Sequence, residues 1–152
     1  MLGVIGVENR MQGTVISNTV NLTSRIESLT KLFGSSLLIS NKVLSKIKNS
    51  YSTRFLGNII VLGKSDKVEI YEILSAEHKD ICQKKMESKP FFEQGLALYF
   101  EKRFSEASVQ FTLSLKAYPD DKPAQLYLKN CANYMVNGVP NDWDGSMVIL
   151  EK

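Results

Sequence analysis

The stretch from Asn9 to Lys31, NRMQGTVISNTVNLTSRIESLTK, is the most informative part of this sequence about the fold. It predicts a strand, a tight turn and an amphipathic helix, which we call the organising helix. Apolar residues recur in this helix at spacings of four, three and four, which places them on one face: Leu22, Ile26, Leu29 and Phe33. Asn21, Arg25 and Ser28 follow the same rhythm one position earlier and form an adjacent polar row. An amide next to a guanidinium is suited to binding an oxyanion or a phosphate. A solvated polar helix face is the alternative interpretation.

Composition predicts a globular protein of one domain or two small ones, since 43% of the 152 residues are hydrophobic and 23% are charged. No apolar run reaches the length of a membrane span. The apolar N-terminal residues are interrupted by glycines and lack a basic leader and a cleavage-site pattern, so we expect no signal peptide. Cys82 and Cys131 fit no metal-ligand spacing, so we expect reduced, buried thiols in a cytoplasmic protein.

The net charge of +3 is unevenly distributed. Met1 to Ser75 contain nine basic and five acidic residues, whereas Ala76 to Lys152 contain ten and eleven. A mildly basic first half is compatible with a polyphosphate ligand and equally with ordinary surface charge. No basic cluster is interleaved with aromatic residues, so the sequence gives no support for nucleic-acid binding.

The first half has an α+β pattern. Gly34 is predicted to end the organising helix, and Asn41 to cap a brief second helix. The predicted strands are Met1–Val7, Met11–Ser17, Ser36–Ser40, Tyr51–Leu62 and Val68–Leu74, with the last two joined by a turn at residues 63–66.

The second half is predicted to be helical. Ala76–Lys89 form a charged linker helix, and Pro90 suits the first turn of a new helix. A third helix, Pro123–Val136, would cover the preceding ones through Leu126, Leu128, Cys131 and Met135. In the tail, Trp143 is expected to pack on the helices, and the run from Met147 resembles a strand.

The segment TVISNTVNLTSRIESLT resembles the V-N-x-A-x-R-x-E motif of class III adenylate and guanylate cyclases. FLGNIIVLGKSDKVEIYEIL is similar to the closing strands of the same domain, and the match runs from about Met1 to Leu74. The resemblance implies the C-terminal part of a cyclase domain, with a ferredoxin-like antiparallel sheet and helices. The implied reaction converts ATP to cyclic AMP and pyrophosphate at the interface of two catalytic domains.

The resemblance also implies roles for three residues. Asn21 and Arg25 match the family residues that hold the ribose and the phosphate, and Thr14 matches the purine-reading position. An ordinary β-branched strand residue is an equally weighted interpretation of Thr14. His78 is expected to be a solvated histidine in the linker helix.

Three departures from the family motif predict a chain that is inactive alone. The sequence contains no counterpart of the first half of the domain, which supplies both metal-binding aspartates and a purine-binding lysine. Leu62 occupies the position of a triphosphate-binding lysine, which Lys64 replaces only in part. Gln12 and Asn18 stand where acidic residues are frequent. We therefore expect no metal or cofactor in this chain, with Mg²⁺ or Mn²⁺ bound only if another subunit completes the site.

Helical spacing in the second half resembles one tetratricopeptide (TPR) repeat, through Phe91, Gly95, Ala107, Phe111 and Pro119. The predicted organisation is a cyclase part at 1–75, a linker helix at 76–89, a TPR-like module at 90–137 and a tail at 138–152, an order that resembles some bacterial class III cyclases.

Two functions follow as hypotheses. In the first, the chain completes a cyclase site with another subunit, as a homodimer or heterodimer. In the second, it is a non-catalytic module whose helices bind a protein partner at a groove beside Phe91 and Tyr99. Unpaired sheet edges would favour dimerisation in either case.

Overall fold

The structure is a computed structural model that describes residues 27–47, 51–61 and 67–149. Within these ranges the fold is α+β, as the sequence predicts. The elements in chain order are helical residues 27–33 (α1), β1 Leu38–Ser40, α2 Asn41–Lys46, β2 Thr53–Val61, β3 Lys67–Ile73, a 3₁₀ turn Leu74–Ala76, α3 Lys79–Phe100, α4 Phe104–Ala117, α5 Lys122–Asn137 and β4 Met147–Ile149. The hairpin predicted at residues 1–17 lies outside the described residues.

The four strands form one sheet in the order β1-β3-β2-β4. The predicted hairpin of β2 and β3 is confirmed, with antiparallel pairing that places Arg54 opposite Glu72. Between residues 38 and 73 the sheet is antiparallel, as expected, and the tail strand β4 extends it by pairing with β2 in parallel. Three helices separate β2 and β3 from β4, and a connection of that length can return the chain in the same direction as β2.

The brief helix α2 is capped by a different residue from the one predicted. Ser40 is the N-cap, and its hydroxyl oxygen accepts a hydrogen bond from the Val43 amide at 3.4 Å. Asn41 is the first helical residue, so its prediction as the cap is wrong by one position. Ser40 serves as the N-cap because β1 ends at this residue with extended backbone angles, which an N-cap residue requires.

Pro90 does not begin a helix, contrary to the prediction, because α3 is continuous from Lys79 to Phe100. Residues on both sides of it are buried, including Ser88 and Phe92, so packing holds the helix together through this point. The hydrogen bond that proline cannot donate would reach the carbonyl of Met86, whose side chain is 41% exposed. The proline therefore falls on the solvent side of the helix, where water can replace the missing N–H.

The TPR resemblance implies a helical hairpin, a pair of helices packed against each other, and α3 and α4 form such a pair. A methyl group added at Gly95 would lie 2.7 Å from the Phe111 ring, so only glycine allows this approach. Ala107 and Phe111 are fully buried, as their spacing predicts. Gly95, Ala107 and Phe111 therefore mark the contact between the two helices, and the TPR family name stays a prediction.

The third predicted helix is confirmed as α5, and Cys131 is buried in the core. The prediction for Met135 is wrong, because its side chain is 49% exposed. Tyr134 takes the inward position in this last turn, with its ring centre 5.2 Å from that of Phe104. Tyr127, for which the sequence pattern predicts no role, is fully buried on α5.

One hydrophobic core joins the sheet to the helices. Its members come from α1, all three long helices and the first three strands, including Leu29, Leu38, Leu56, Ile70, Phe92, Phe111 and Tyr127. The Tyr127 hydroxyl also donates a hydrogen bond to the Leu56 carbonyl of β2 at 2.6 Å. The cyclase-like and helical parts therefore share a core, while their exact boundaries stay a prediction.

Candidate functional site

Thr14, Asn21 and Arg25 lie outside the described residues, so their roles stay predictions, and so do those of Leu62 and Lys64. The described residues begin at residue 27, within the range predicted for the organising helix, and the first of them form α1. Leu29 and Phe33 are buried, which confirms the predicted apolar face at these two positions. Ser28, which continues the predicted polar row, is exposed.

The C-terminal end of α1 is fixed by a glycine, as predicted. Gly34 has a φ of +60°, a backbone conformation that glycine adopts at little cost. The Ser35 amide donates a hydrogen bond to the Thr30 carbonyl at 3.0 Å, which completes a Schellman cap. The helix predicted to carry the site therefore ends at a defined point next to the sheet.

A group of five charged residues lies between the sheet and the helices, and we call it the charge cluster. It consists of Arg54 on β2, Glu72 on β3, Glu77 after the 3₁₀ turn, Lys85 on α3 and Asp121 before α5. Four of them are at most 1% exposed, and the Glu77 side chain is 6% exposed. Two cations therefore face three carboxylates in an environment nearly free of water.

Arg54 connects the hairpin to the start of α5. Its Nη1 and Nη2 donate to the two oxygens of Asp121 at 2.8 and 3.0 Å, and its Nε and Nη2 donate to Glu72 Oε1 at 3.0 and 2.7 Å. The guanidinium also lies 4.6 Å from the Phe92 ring centre. Burial lowers the pKa of Arg54, but the two carboxylates outweigh this effect and hold the pKa above its ordinary value. Arg54 is thus a fixed cation.

Lys85 connects α3 to the other side of the cluster. Its ammonium donates to Glu72 Oε2 and, at 2.7 Å, to Glu77 Oε2. Burial lowers the pKa of Lys85, whereas the two carboxylates raise it, with a net rise. Burial likewise raises the pKa of Glu77, but hydrogen bonds from Lys85 and Ser36 hold it below its ordinary value of 4.5.

Two serines that follow α1 attach to the same carboxylates. The Ser35 hydroxyl donates to Glu72 Oε2 at 2.7 Å. The Ser36 amide and hydroxyl donate to Glu77 at 3.0 and 2.6 Å. With these bonds every charged group of the cluster has a hydrogen-bond partner, and the cluster is suited to holding elements in place rather than to acid–base chemistry.

The described residues offer no metal centre. No group of three or more His, Cys, Asp or Glu within them could hold a metal ion. His78 is exposed, as expected for a solvated histidine. Both cysteines are free, and only Cys131 is fully buried, where burial raises the pKa of its thiol to about 11.

The prediction of a surface groove beside Phe91 and Tyr99 is wrong, because only one of the two side chains reaches the surface. Phe91 is 37% exposed, but Tyr99 is 1% exposed and lies within an aromatic group. The rings of Phe104, Tyr127 and Trp143 surround it at centroid distances of 5.6, 4.9 and 5.3 Å. A tyrosine on the inner face of the helix pair fills the core, so it cannot line a surface groove.

Trp143 packs on the helices, as predicted. Its ring contacts Tyr99, Phe104 and Tyr134. Two residues later, a methyl group added at Gly145 would lie 2.3 Å from the Phe100 ring, so the chain passes close to α3. The tail then pairs with β2 as β4, which confirms the predicted strand.

Comparison with known proteins relates part of this chain to adenylate cyclases. An adenylate cyclase of Dictyostelium discoideum, described as terminal-differentiation specific, is 35% identical over 134 residues, which are 86% of this chain and 6% of that protein. Adenylate cyclase 1 of Rhizobium meliloti is 35% identical over 49% of the chain and 11% of its own length. An adenylate cyclase of Anabaena cylindrica is 37% identical over 48% of the chain and 15% of its own length.

These matches show that the chain contains an adenylate cyclase-related region. The chain spans between 6% and 15% of the length of these three relatives. No family model matches the chain, and no solved structure matches it. Among the helices of the described residues, none is sufficiently long and apolar to cross a membrane.

The Dictyostelium match reaches beyond the cyclase-like part. Residues 1–75 are about half of the chain, so an alignment over 86% of it must include much of the helical part. The sequence similarity to that relative therefore extends into the helical part.

Proposed function

We propose that this chain supplies the substrate-holding half of a class III adenylate cyclase site. The observation that carries the proposal is the 35–37% identity to three adenylate cyclases. The reaction would join the ribose 3′-oxygen of ATP to its α-phosphorus, with pyrophosphate as the leaving group. Asn21 and Arg25 would hold the ribose and the reacting phosphate, and Thr14 would contact the adenine.

These roles fit the chemistry of phosphoryl transfer, in which a protein mainly positions groups and neutralises charge. Arg25 offers a permanent positive charge with several donors, and Asn21 offers one amide donor group and one acceptor. Leu62 cannot donate to a phosphate, so the triphosphate would be held less firmly than in a site with lysine there.

The metal half of the site would come from another polypeptide or domain. Residues 1–75 contain a single aspartate, Asp66, so a pair of metal-binding aspartates cannot lie within them. We therefore expect the purified 152-residue chain to make no cyclic AMP alone. Mg²⁺ or Mn²⁺ would bind only in a dimer whose other cyclase domain carries the two aspartates, in the cytoplasm where ATP is available.

Complementation in a mixed dimer tests this proposal. The second component is a class III adenylate cyclase domain that retains its two aspartates but carries alanine at its own Asn and Arg positions. With ATP and Mn²⁺ we expect cyclic AMP from the mixture and from neither component alone. Asn21→Ala and Arg25→Ala should each reduce the rate about 10²- to 10³-fold.

A variant of an exposed lysine far from the predicted site residues in sequence is the matched control for this experiment. Lys129 is exposed on α5, and Lys129→Met should leave the rate of the mixture unchanged. Cyclic AMP made by the chain alone would contradict the proposed division of the site. A mixture no more active than its second component would refute the contribution of this chain.

A second candidate function is binding of a protein partner by the TPR-like helices. Two exposed apolar side chains on the hairpin favour it, Phe91 at 37% and Val109 at 57% exposure. In that case Asn21→Ala and Arg25→Ala would change nothing, whereas Phe91→Asp would weaken binding of the native partner. Co-purification of the parent and the two kinds of variant from the native cell would separate these functions.

A further inference from the structure

The connection between α1 and β1 is held by two carboxylates, one on β3 and one after the 3₁₀ turn. Ser35 donates to Glu72, and Ser36 donates to Glu77 through both its amide and its hydroxyl. These serines directly follow Gly34, which ends α1. The position of this helix end therefore depends on where the two carboxylates are held.

A single side chain from the helical part holds both carboxylates. The Lys85 ammonium contacts Glu72 and Glu77, and its side chain is 2% exposed. Without that ammonium, the two buried carboxylates would share one region with no cation between them. Glu72 would keep Arg54, but Glu77 has no other cation partner among the contacts of the described residues. Like charges in such a site repel and move apart.

From this arrangement we propose that Lys85 is a positioning residue, which fixes the C-terminal end of the organising helix from within the helical part. The helical part would then stabilise the position of the organising helix in the cyclase-related region, and would not be a structurally independent unit. The functional half of this inference rests on the proposed function, because Asn21 and Arg25 are predicted on the same organising helix.

The structural half is tested by hydrogen exchange at the Ser36 amide, which reports directly on its bond to Glu77. In Lys85→Met we expect this amide to exchange at least about tenfold faster through local opening of the folded protein, whereas amides in α4, which open only with the whole unit, report the change in global stability. Lys129→Met removes an exposed lysine and should change neither. Unchanged exchange at Ser36 in a folded Lys85→Met variant would overturn the proposal.

A second pair of variants separates position from stability. Lys85→Met/Glu77→Gln removes the uncompensated carboxylate, so it should recover thermal stability, yet it lacks the ammonium bridge. We expect Ser36 to exchange faster in this double variant than in Glu77→Gln alone. Equal rates in the two would overturn the proposal. Failure of both Lys85 variants to fold would also overturn it, because Lys85 would then serve folding and not position.

The functional half is tested in the mixed dimer described above. A displaced helix end misplaces the groups that the helix carries, so Lys85→Met should lower kcat about tenfold or more while KM changes less than about threefold. An equal kcat for parent and Lys85→Met, with faster exchange at Ser36, would limit the role of Lys85 to local structure. If even the parent mixture is inactive, the proposed function fails, and the exchange result still decides whether Lys85 positions the helix.

Discussion

Replacement of Arg54 by methionine is the most demanding test of the charge cluster. Methionine is similar in length and still packs beside Phe92, but it removes the two hydrogen bonds to the Asp121 carboxylate and two to Glu72. Glu72 keeps Lys85 and Ser35 as partners. Asp121 is 1% exposed, and both of its side-chain hydrogen bonds in the structure come from Arg54.

The expected cost follows from that uncompensated carboxylate. Removal of one partner from a buried ion pair destabilises a protein by about 3–5 kcal/mol. With a denaturant slope of about 2 kcal/mol per molar urea, the unfolding midpoint should fall by about 2 M. Total stabilities are about 5–15 kcal/mol, so Arg54→Met should remain folded but marginal in water.

Urea denaturation followed by circular dichroism measures this difference. Arg103→Met is the matched control, since Arg103 is 49% exposed in its ion pairs with Glu101 and Glu106, and exposed ion pairs contribute little to stability. In Arg54→Met/Asp121→Asn the buried charge is removed, and part of the loss should be recovered. A midpoint for Arg54→Met equal to that of Arg103→Met would refute the reasoning.

Further predictions concern packing, pH and thiol reactivity. Gly57→Ala should lower the free energy of unfolding by about 2–4 kcal/mol in urea, because the new methyl would lie 2.1 Å from the Tyr127 hydroxyl at a φ of +131°. Hydrogen bonds lower the pKa of Glu77, so its stabilisation is present above the ordinary value of 4.5 and is lost as pH falls through the lower folded value. Stability of Glu77→Gln should therefore decline less steeply with acid than that of the parent, and equal slopes would contradict this. At pH 8 a thiol reagent should label half-buried Cys82 in the native protein, and buried Cys131 only after unfolding.

Local patterns were sufficient to predict most elements. The glycine end of α1 and the β2–β3 hairpin follow from turn residues and apolar periodicity, and the Gly95–Phe111 contact follows from helical spacing. Each of these features depends on residues that are close to one another in the sequence. The Pro90 prediction failed because tertiary packing on both sides of that residue outweighed a local signal.

The charge cluster could not be predicted in the same way. Its members are separated by up to 67 residues, and only the final packing of the helices brings them together. One signal was present in the sequence, since Arg54 and Glu72 are opposite charges on the two strands of the predicted hairpin, and the structure pairs them. Such a pair predicts either an exposed cross-strand ion pair or a buried salt bridge, and only the burial of the two side chains distinguishes these possibilities.

Native-state hydrogen exchange at increasing denaturant tests the central structural claim, that the cyclase-related sheet and the helices form one cooperative unit. The shared core and the charge cluster predict that amides of β2 and β3 open with the same free energy as amides of α4 and α5. Sheet amides that open at clearly lower free energy, while the helices stay protected, would show two separate units and would contradict the account.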